Sequence, residues 1–320
     1  MDPRPGPSAS SPGDGVAGNF PGSPSAELTW AVMVPGEPTS PLVEIDHVTV
    51  QFDGLRALSD VTFDVHSGEI VGLIGPNGAG KTTAFNVICG FVKPTQGSVG
   101  FHVETTRPVT LTRRFRARLE RLHVLKAKTA RVEVLSNLKP SQLARAGVAR
   151  TLQGVGLFPH LSVLENVMAG GQIRGAGGFV TSLLALPSGV RSDRRLRAEA
   201  SVLLGRLGIA EFALRLPTQI PYGVAKKVAV ARALMCQPQL LLLDEPASGL
   251  DEAELAEFAS LIVELRKEMG VLLVEHDMGF VMPLVDRLVV LDFGEVIARG
   301  TPEQIQSDPK VIEAYLGVEA

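Results

Sequence analysis

The sequence predicts an α/β fold built on a mainly parallel sheet, with a smaller antiparallel β unit ahead of it in the chain. Three compact apolar runs, EIVGLI (69–74), QLLLLDEP (239–246) and VLLVEHDM (271–278), each lead into a turn and then a more helical pattern. Strands buried on both faces and alternating with helices read this way. Ahead of them, VEIDHVTVQF (43–52) and LSDVTFDV (58–65) alternate apolar and polar residues on either side of a turn at Asp53-Gly54, the mark of an antiparallel hairpin.

Taken in chain order, residues 1–41 hold 9 Pro, 6 Gly and 6 Ser, a composition that cannot bury enough apolar area to offset chain entropy. The sequence therefore predicts a disordered tail over 1–41 and one domain over 42–320. With 320 residues, 45% of them hydrophobic, the chain can build a sizeable core. No basic stretch followed by an apolar one opens the sequence and no run of 18 apolar residues occurs, so neither a signal peptide nor a membrane span is expected. Cys89 and Cys236 have no disulfide or metal spacing and read as buried free thiols. A net charge of −3 gives no global field that points to nucleic acid or an acidic substrate.

Directly after the first buried run comes GPNGAGKTT (75–83), which fits G-x-x-x-x-G-K-[ST]. Gly75, Pro76, Asn77, Gly78, Ala79 and Gly80 form a turn whose N–H groups can converge on phosphate oxygens, and the helix that follows adds its positive end. Lys81 would reach the β- and γ-phosphates, the Thr82 hydroxyl would ligate Mg²⁺, and Thr83, next in the chain, is expected among the nucleotide-binding residues. The strand before and the helix after make this a nucleotide-binding site.

A phosphate cradle needs an acid on a neighbouring strand, and the second run ends in Asp244-Glu245. Asp244 would hold Mg²⁺ through water, and Glu245 would orient and polarise the attacking water. Acids at a strand end can also be helix caps; their pairing with Lys81 favours the catalytic reading. The third run ends in Glu275-His276-Asp277, where His276 is placed either to bond the γ-phosphate or as a structural residue. Between these runs, a turn at Asp251 precedes a helix with Leu255, Phe258, Leu261, Ile262 and Leu265 on its apolar face.

The ordered set GPNGAGKTT, ARTLQ, PYGVAKKVAVARAL, LLLLDEP, SGLD and VEHD resembles the ATP-binding cassette (ABC) ATPases over about residues 43–317. Within them, GVARTLQGVGLFPHLSVLENVMAG and GEVIARGTPEQIQSDPKVIEAYLG resemble the ATPase subunits of branched-chain amino acid importers. The resemblance implies a P-loop NTPase core with a mainly parallel sheet, an antiparallel β subdomain and an α-helical signature subdomain at about 140–237. It implies ATP and Mg²⁺ as ligands. Gln153 would couple Mg²⁺ to the helical subdomain, Asp251 would lie in the D-loop, and Phe52 would stack on adenine where Tyr is usual. Phe52 also reads as an ordinary strand aromatic.

Registered on Ala231-Arg232-Ala233-Leu234, the family signature LSGGQ falls on Ile220-Pro221-Tyr222-Gly223-Val224. In such ATPases two chains sandwich two nucleotides, so Pro221, Tyr222 and Gly223 would face ATP held by a partner. Pro221 lacks the signature hydroxyl, a loss worth roughly 1.5–3 kcal/mol for a bond to a charged group. The contact is expected to be weakened and not abolished.

Between Gly97 and Arg150 the chain is longer than the resemblance predicts, an insertion of about 101–135. Residues 107–131 carry nine Lys/Arg against one acid, Glu120, and Leu111, Phe115, Leu119, Leu122 and Leu125 share one helical face. Such a segment can lie on anionic lipid or pack on its own domain with a solvated face. Nucleic acid is disfavoured because no aromatics interleave the charges.

These features imply an ATP-hydrolysing importer subunit, peripheral on the cytoplasmic face of the membrane. Its partners would be permease subunits, a second ATPase subunit and, indirectly, a substrate-binding protein, with no nucleic acid. Branched-chain or related hydrophobic amino acids are the expected cargo, and urea or short amides are the rivals. A soluble ATP switch is the alternative of a different class; in related proteins it uses fused cassettes or coiled-coil arms, which this sequence lacks.

Overall fold

The computed structural model describes residues 41–105, 129–135, 138, 140–151, 154–172 and 187–316. The tail expected over 1–41, apart from Pro41, lies outside them, as do Gln153 and the apolar face from Leu111 to Leu125.

Alternation builds the smaller sheet. Strand β1 (Val43–Phe52) buries Val43, Ile45, Val48 and Val50 and exposes Glu44 and Asp46. It pairs antiparallel with β2 (Leu55–Val65) across Asp53 and Gly54, both at positive φ, the geometry of a two-residue type I′ turn. After β3 (Ile70–Ile74), which belongs to the larger sheet, β4 (Gln96–Thr105) and β5 (Thr129–Val134) complete the order β2-β1-β4-β5. Thr105 stands opposite Thr129.

The larger sheet adds β6 (Val148–Arg150), β7 (Leu240–Asp244), β8 (Gly270–Val274), β9 (Arg287–Asp292) and β10 (Glu295–Gly300), in the order β10-β9-β3-β8-β7-β6. All neighbours are parallel except β10, an antiparallel edge. Strands β3, β7 and β8 are buried at every position, which is why they read as unbroken apolar runs. Their side chains still alternate. Val71, Leu73, Leu240, Leu242, Leu272 and Val274 pack toward the antiparallel sheet and α1 (Lys81–Ile88). Ile70, Ile74, Leu241, Leu243, Val271 and Leu273 pack on the opposite face. Each such side chain contributes about 1.5–3 kcal/mol by burial.

Further along the chain come α2 (Pro140–Ala146), α3 (Val163–Gly171), α4 (Pro187–Arg206), α5 (Tyr222–Leu234) and α6 (Glu252–Arg266). Short helices α7 (Met278–Val281), α8 (Pro302–Gln306) and α9 (Pro309–Leu316) follow. Helices α3, α4 and α5 share a separate core of Val163, Val167, Ala200, Leu204, Val228 and Ala231. The span 140–237 expected to be helical thus opens with α2 and an edge strand of the larger sheet, β6, before the core shared by α3, α4 and α5 starts. Helix α6 buries Phe258, Ile262 and Leu265, with Leu255 and Leu261 partly covered. Among the described residues no helix is long and apolar enough to cross a membrane.

Candidate active site

The site grows from the C-terminal ends of β3, β7 and β8, neighbours in the parallel sheet. Strand β3 delivers the chain into 75–80, where Gly75 and Gly80 sit at φ 149° and 100°. A side-chain carbon at Gly75 would overlap the Leu291 carbonyl, and one at Gly80 would lie 2.7 Å from the Ala57 carbonyl. Only glycine meets both the dihedral and the close approach. Lys81, the first residue of α1, curls back over the loop it follows. Its Nζ donates to the carbonyls of Gly75 at 2.6 Å and Pro76 at 2.8 Å. Burial lowers its pKa, opposed by the charge of Glu245. Thr82 lies exposed beside it on the same helical turn.

Asp244 ends β7 with only 9% of its surface exposed. Arg150, at the end of β6, donates from Nη2 to Asp244 Oδ2 at 2.8 Å and from Nη1 to Asn86 Oδ1 at 2.9 Å. The guanidinium also faces the rings of Phe85 at 4.9 Å and Phe91 at 5.4 Å, so its plane is held by cation–π contacts as well as by charge. Among the described residues no cluster of three or more His, Cys, Asp or Glu could hold a metal by itself.

Glu245 takes φ 47°, rare outside glycine, and the next residue is Pro246, which disfavours the right-handed helical region at Glu245. Three contacts hold this turn. The Glu245 amide donates to the Val274 carbonyl at 2.9 Å. Lys226 of α5, buried, donates to the carbonyls of Pro246 at 2.6 Å and Glu245 at 3.3 Å. Glu275, 1% exposed, accepts from the amides of Ala247 at 2.6 Å and His276 at 3.0 Å. Burial lowers the Lys226 pKa, and Glu275, Glu245 and Glu254 raise it. The exposed His276 places Nδ1 4.0 Å from Glu245 Oε1. The structure therefore brings Lys81, Asp244, Glu245 and His276 to the C-terminal ends of three neighbouring parallel strands.

The remaining expected residues are dispersed. Phe52 lies exposed at the end of β1. Pro221 and Tyr222 are exposed at the start of α5, and buried Gly223 packs against the Glu254 carboxylate. Asp251 caps α6, accepting from the Glu254 amide at 2.8 Å while the Glu254 carboxylate accepts from the Asp251 amide at 3.2 Å. Arg150, Lys226 and Glu275 were not singled out in the sequence. The signal was present for Arg150, inside ARTLQ, and for Glu275, at the end of a buried run.

The comparisons with known proteins agree with this geometry. A family model described as ABC transporter matches residues 58–248, and one described as Branched-chain amino acid ATP-binding cassette transporter matches 295–320. The high-affinity branched-chain amino acid transport ATP-binding protein LivG of Escherichia coli (strain K12) is 38% identical over 281 residues, 87% of this chain and 99% of its own. BraF of Pseudomonas aeruginosa, described in the same words, is 37% identical over 279 residues, 87% of this chain and 98% of its own. Among solved structures, the ADP conformation of an ATP-binding cassette of an ABC transporter superposes with a TM-score of 0.68 at 27% identity, covering 87% of this chain and all of that one. A nucleotide-free ATP-binding cassette gives 0.66 at 26%, covering 86% and 99%. With more than half its length matched by the family and relatives above a third identical along nearly their whole sequence, this chain belongs to the ABC transporter ATPases and is an ATP-hydrolysing subunit.

Proposed function

We propose that the chain drives import of branched-chain or related hydrophobic amino acids. In this reading it works peripherally at the cytoplasmic face of the membrane, bound to permease subunits and paired with a second ATPase subunit, while a substrate-binding protein delivers cargo. The observation that carries this is the meeting of loop 75–83 with Asp244, Glu245 and His276 in a chain whose relatives are named for branched-chain amino acid transport. Residues 42–320 act as one ATPase domain, with a helical subdomain within about 140–237 and a basic insertion at about 101–135.

In this reading Lys81 leaves its two carbonyls to neutralise the β- and γ-phosphates, and the amides of 75–83 bind their oxygens. Phe52 stacks on adenine. Glu245 orients the attacking water, held at its angle by Lys226 and Glu275, and His276 bonds the γ-phosphate. Thr82, Gln153 and, through water, Asp244 would hold Mg²⁺, which supplies charge neutralisation at the phosphates. The donor set fits: it is all oxygen, few protein ligands are needed, and Asp244 already balances a cation, Arg150, in a nearly buried position. Pro221, Tyr222 and Gly223 face ATP on the partner subunit, and Asp251 lies in the D-loop beside that interface.

Uptake of labelled leucine and of labelled urea, measured in cells with and without the chain, tests the assignment. Leucine uptake should be lost with the chain and restored by the wild type. Glu245→Gln, which should bind ATP but turn over about 10²–10⁴-fold more slowly, should not restore it. Leucine uptake that persists without the chain while urea uptake fails would reassign the cargo.

A further inference from the structure

Helix α5 opens with the segment expected to face a partner's nucleotide, yet one side of its first turn is packed onto its own chain. Tyr222 and Lys226 stand four residues apart and so share a face of the helix. Lys226, 7% exposed, donates to the carbonyls of Pro246 and Glu245. The Tyr222 ring lies 5.5 Å from the Lys226 ammonium, within cation–π range. The same ring rests on Gly249, where a side-chain carbon would lie 2.9 Å from it. Gly223, between the two, packs against the Glu254 carboxylate. From Glu245 to Glu254 the chain therefore meets the start of α5 at three points.

That stretch sets the aim of Glu245. A residue with a side chain at φ 47° persists there only where its surroundings over-determine it. The turn's own bonds are long, from the Ser248 amide to the Glu245 carbonyl at 3.3 Å and from the Leu250 amide to the Ala247 carbonyl at 3.2 Å. Its short bonds come from outside, from Glu275 and from Lys226 at 2.6 Å each. A buried ammonium is costly unless it is hydrogen-bonded, and methionine would fill the same space with apolar atoms. The charge of Lys226 thus serves the two carbonyls and not the packing of α5.

We propose that Tyr222 and Lys226 are positioning residues for the active site of their own subunit: Lys226 draws in the Glu245 and Pro246 carbonyls, the Tyr222 ring seats Gly249, and together they fix the direction of the Glu245 carboxylate. The start of α5 thereby serves two sites. Its exposed edge faces the partner's ATP, and its inner face holds the catalytic turn of its own chain. The inference rests on Glu245 as the residue that orients the attacking water and is independent of the transported substrate.

Lys226→Met, Tyr222→Leu and Glu245→Gln in the full chain, singly and in pairs, test it by two readouts. These are kcat for ATP hydrolysis and ATP affinity by calorimetry in EDTA, where hydrolysis is suppressed. A misaimed carboxylate lowers kcat and leaves ground-state binding alone. Lys226→Met should lower kcat by roughly 10–10²-fold, the effect of misplacing a catalytic group. Tyr222→Leu should lower it by roughly 2–5-fold, the worth of a cation–π contact. Both should leave the Kd for ATP within about twofold of wild type. Neither should lower kcat further on top of Glu245→Gln, because residues that act as a unit are not additive, whereas a general loss of packing would lower it again. Tyr222→Leu, at a position 44% exposed, carries the test if the buried Lys226 tolerates no substitution. Wild-type kcat in either variant, a Kd weakened as much as kcat, or a further loss in the Glu245→Gln background overturns the proposal. Glu245→Gln turning over at the wild-type rate would instead remove the reading on which it rests.

Discussion

Arg150 Nη2 lies 2.8 Å from Asp244 Oδ2, and both side chains are largely buried, at 16% and 8% exposure. The carboxylate proposed to reach a metal through water is therefore neutralised by a guanidinium from the neighbouring strand. That arrangement solves a physical problem. A buried carboxylate without a counter-charge is expensive, yet a nucleotide site must keep one ready between turnovers.

Replacing Arg150 by Met, which keeps length and removes charge, should cost about 3–5 kcal/mol in the nucleotide-free protein, because Asp244 is left buried and uncompensated. Urea unfolding measures this. Mg²⁺ and ATP together should recover part of the loss, since they return positive charge to the same place. Equal destabilisation with and without them would mean that Asp244 and the nucleotide site are not coupled.

Much of this site was legible because its parts are local. GPNGAGKTT and the runs ending in Asp244-Glu245 and Glu275-His276 each need only a strand and the turn after it. What was not legible is what links them. Arg150 and Asp244 stand 94 positions apart, and β6 has three residues, too few to show a period of two. The contact of Lys226 with Pro246 joins helix α5 to a turn that sequence spacing cannot orient. The resting pose of Lys81 on its own loop was hidden for a different reason: the motif describes the liganded task of that side chain, not its partner without ligand.

Gly223 carries the second prediction. If Pro221 to Gly223 close on ATP held by the partner, Gly223→Asp sets a carboxylate against the γ-phosphate. The structure adds a complication, because a side chain at Gly223 meets Glu254 of its own chain first. Glu254→Gln belongs beside it as the control for repulsion within the subunit. Mixing Gly223→Asp chains with Lys81→Ala chains leaves one composite site with both lesions and the other with neither. Hydrolysis above that of either variant alone is expected once mixed dimers form; none would place the signature on its own subunit's nucleotide.

Arg287 joins the two sheets. From β9 it donates to Asp64 Oδ1 of β2 at 2.8 Å and to Glu69 Oε1 at 2.9 Å. Burial pushes the Asp64 carboxyl up, but the hydrogen bond and charge of Arg287, with smaller help from the charge and hydrogen bond of His66, together outweigh it, and the pKa lies below the usual carboxylate value. A depressed pKa in the folded state means stabilisation that is present at neutral pH, declines below about pH 4 and is gone once the folded value is passed. Arg287→Met should therefore cost about 1–2 kcal/mol at pH 7, a figure discounted for partial exposure. Its gap to the wild type should narrow as unfolding is measured at successively lower pH. A gap that stays constant down to pH 3 would assign the loss to packing of the arginine stem.

The basic segment can be excised more cleanly than its charge pattern alone suggests. Thr105 and Thr129 are partners across an antiparallel ladder, so residues 106–128 leave and return at adjacent positions. Two residues, Asn-Gly, close such a gap in a type I′ turn. Cutting through 131 would instead remove half of β5 and unpair the edge of the sheet. With the short turn in place, every residue of the nucleotide site remains, and ATP hydrolysis by the purified chain should stay within about twofold of wild type, since surface changes away from such features usually shift stability by no more than about 0.5 kcal/mol. The removed segment takes with it eight of the nine Lys/Arg of 107–131, Arg131 alone remaining. Sedimentation with vesicles of anionic lipid at low salt then separates the readings. Binding by the wild type that falls as salt is added and is absent from the shortened chain marks a lipid contact. Equal sedimentation of the two chains would leave the segment as an insertion on the surface of its own domain.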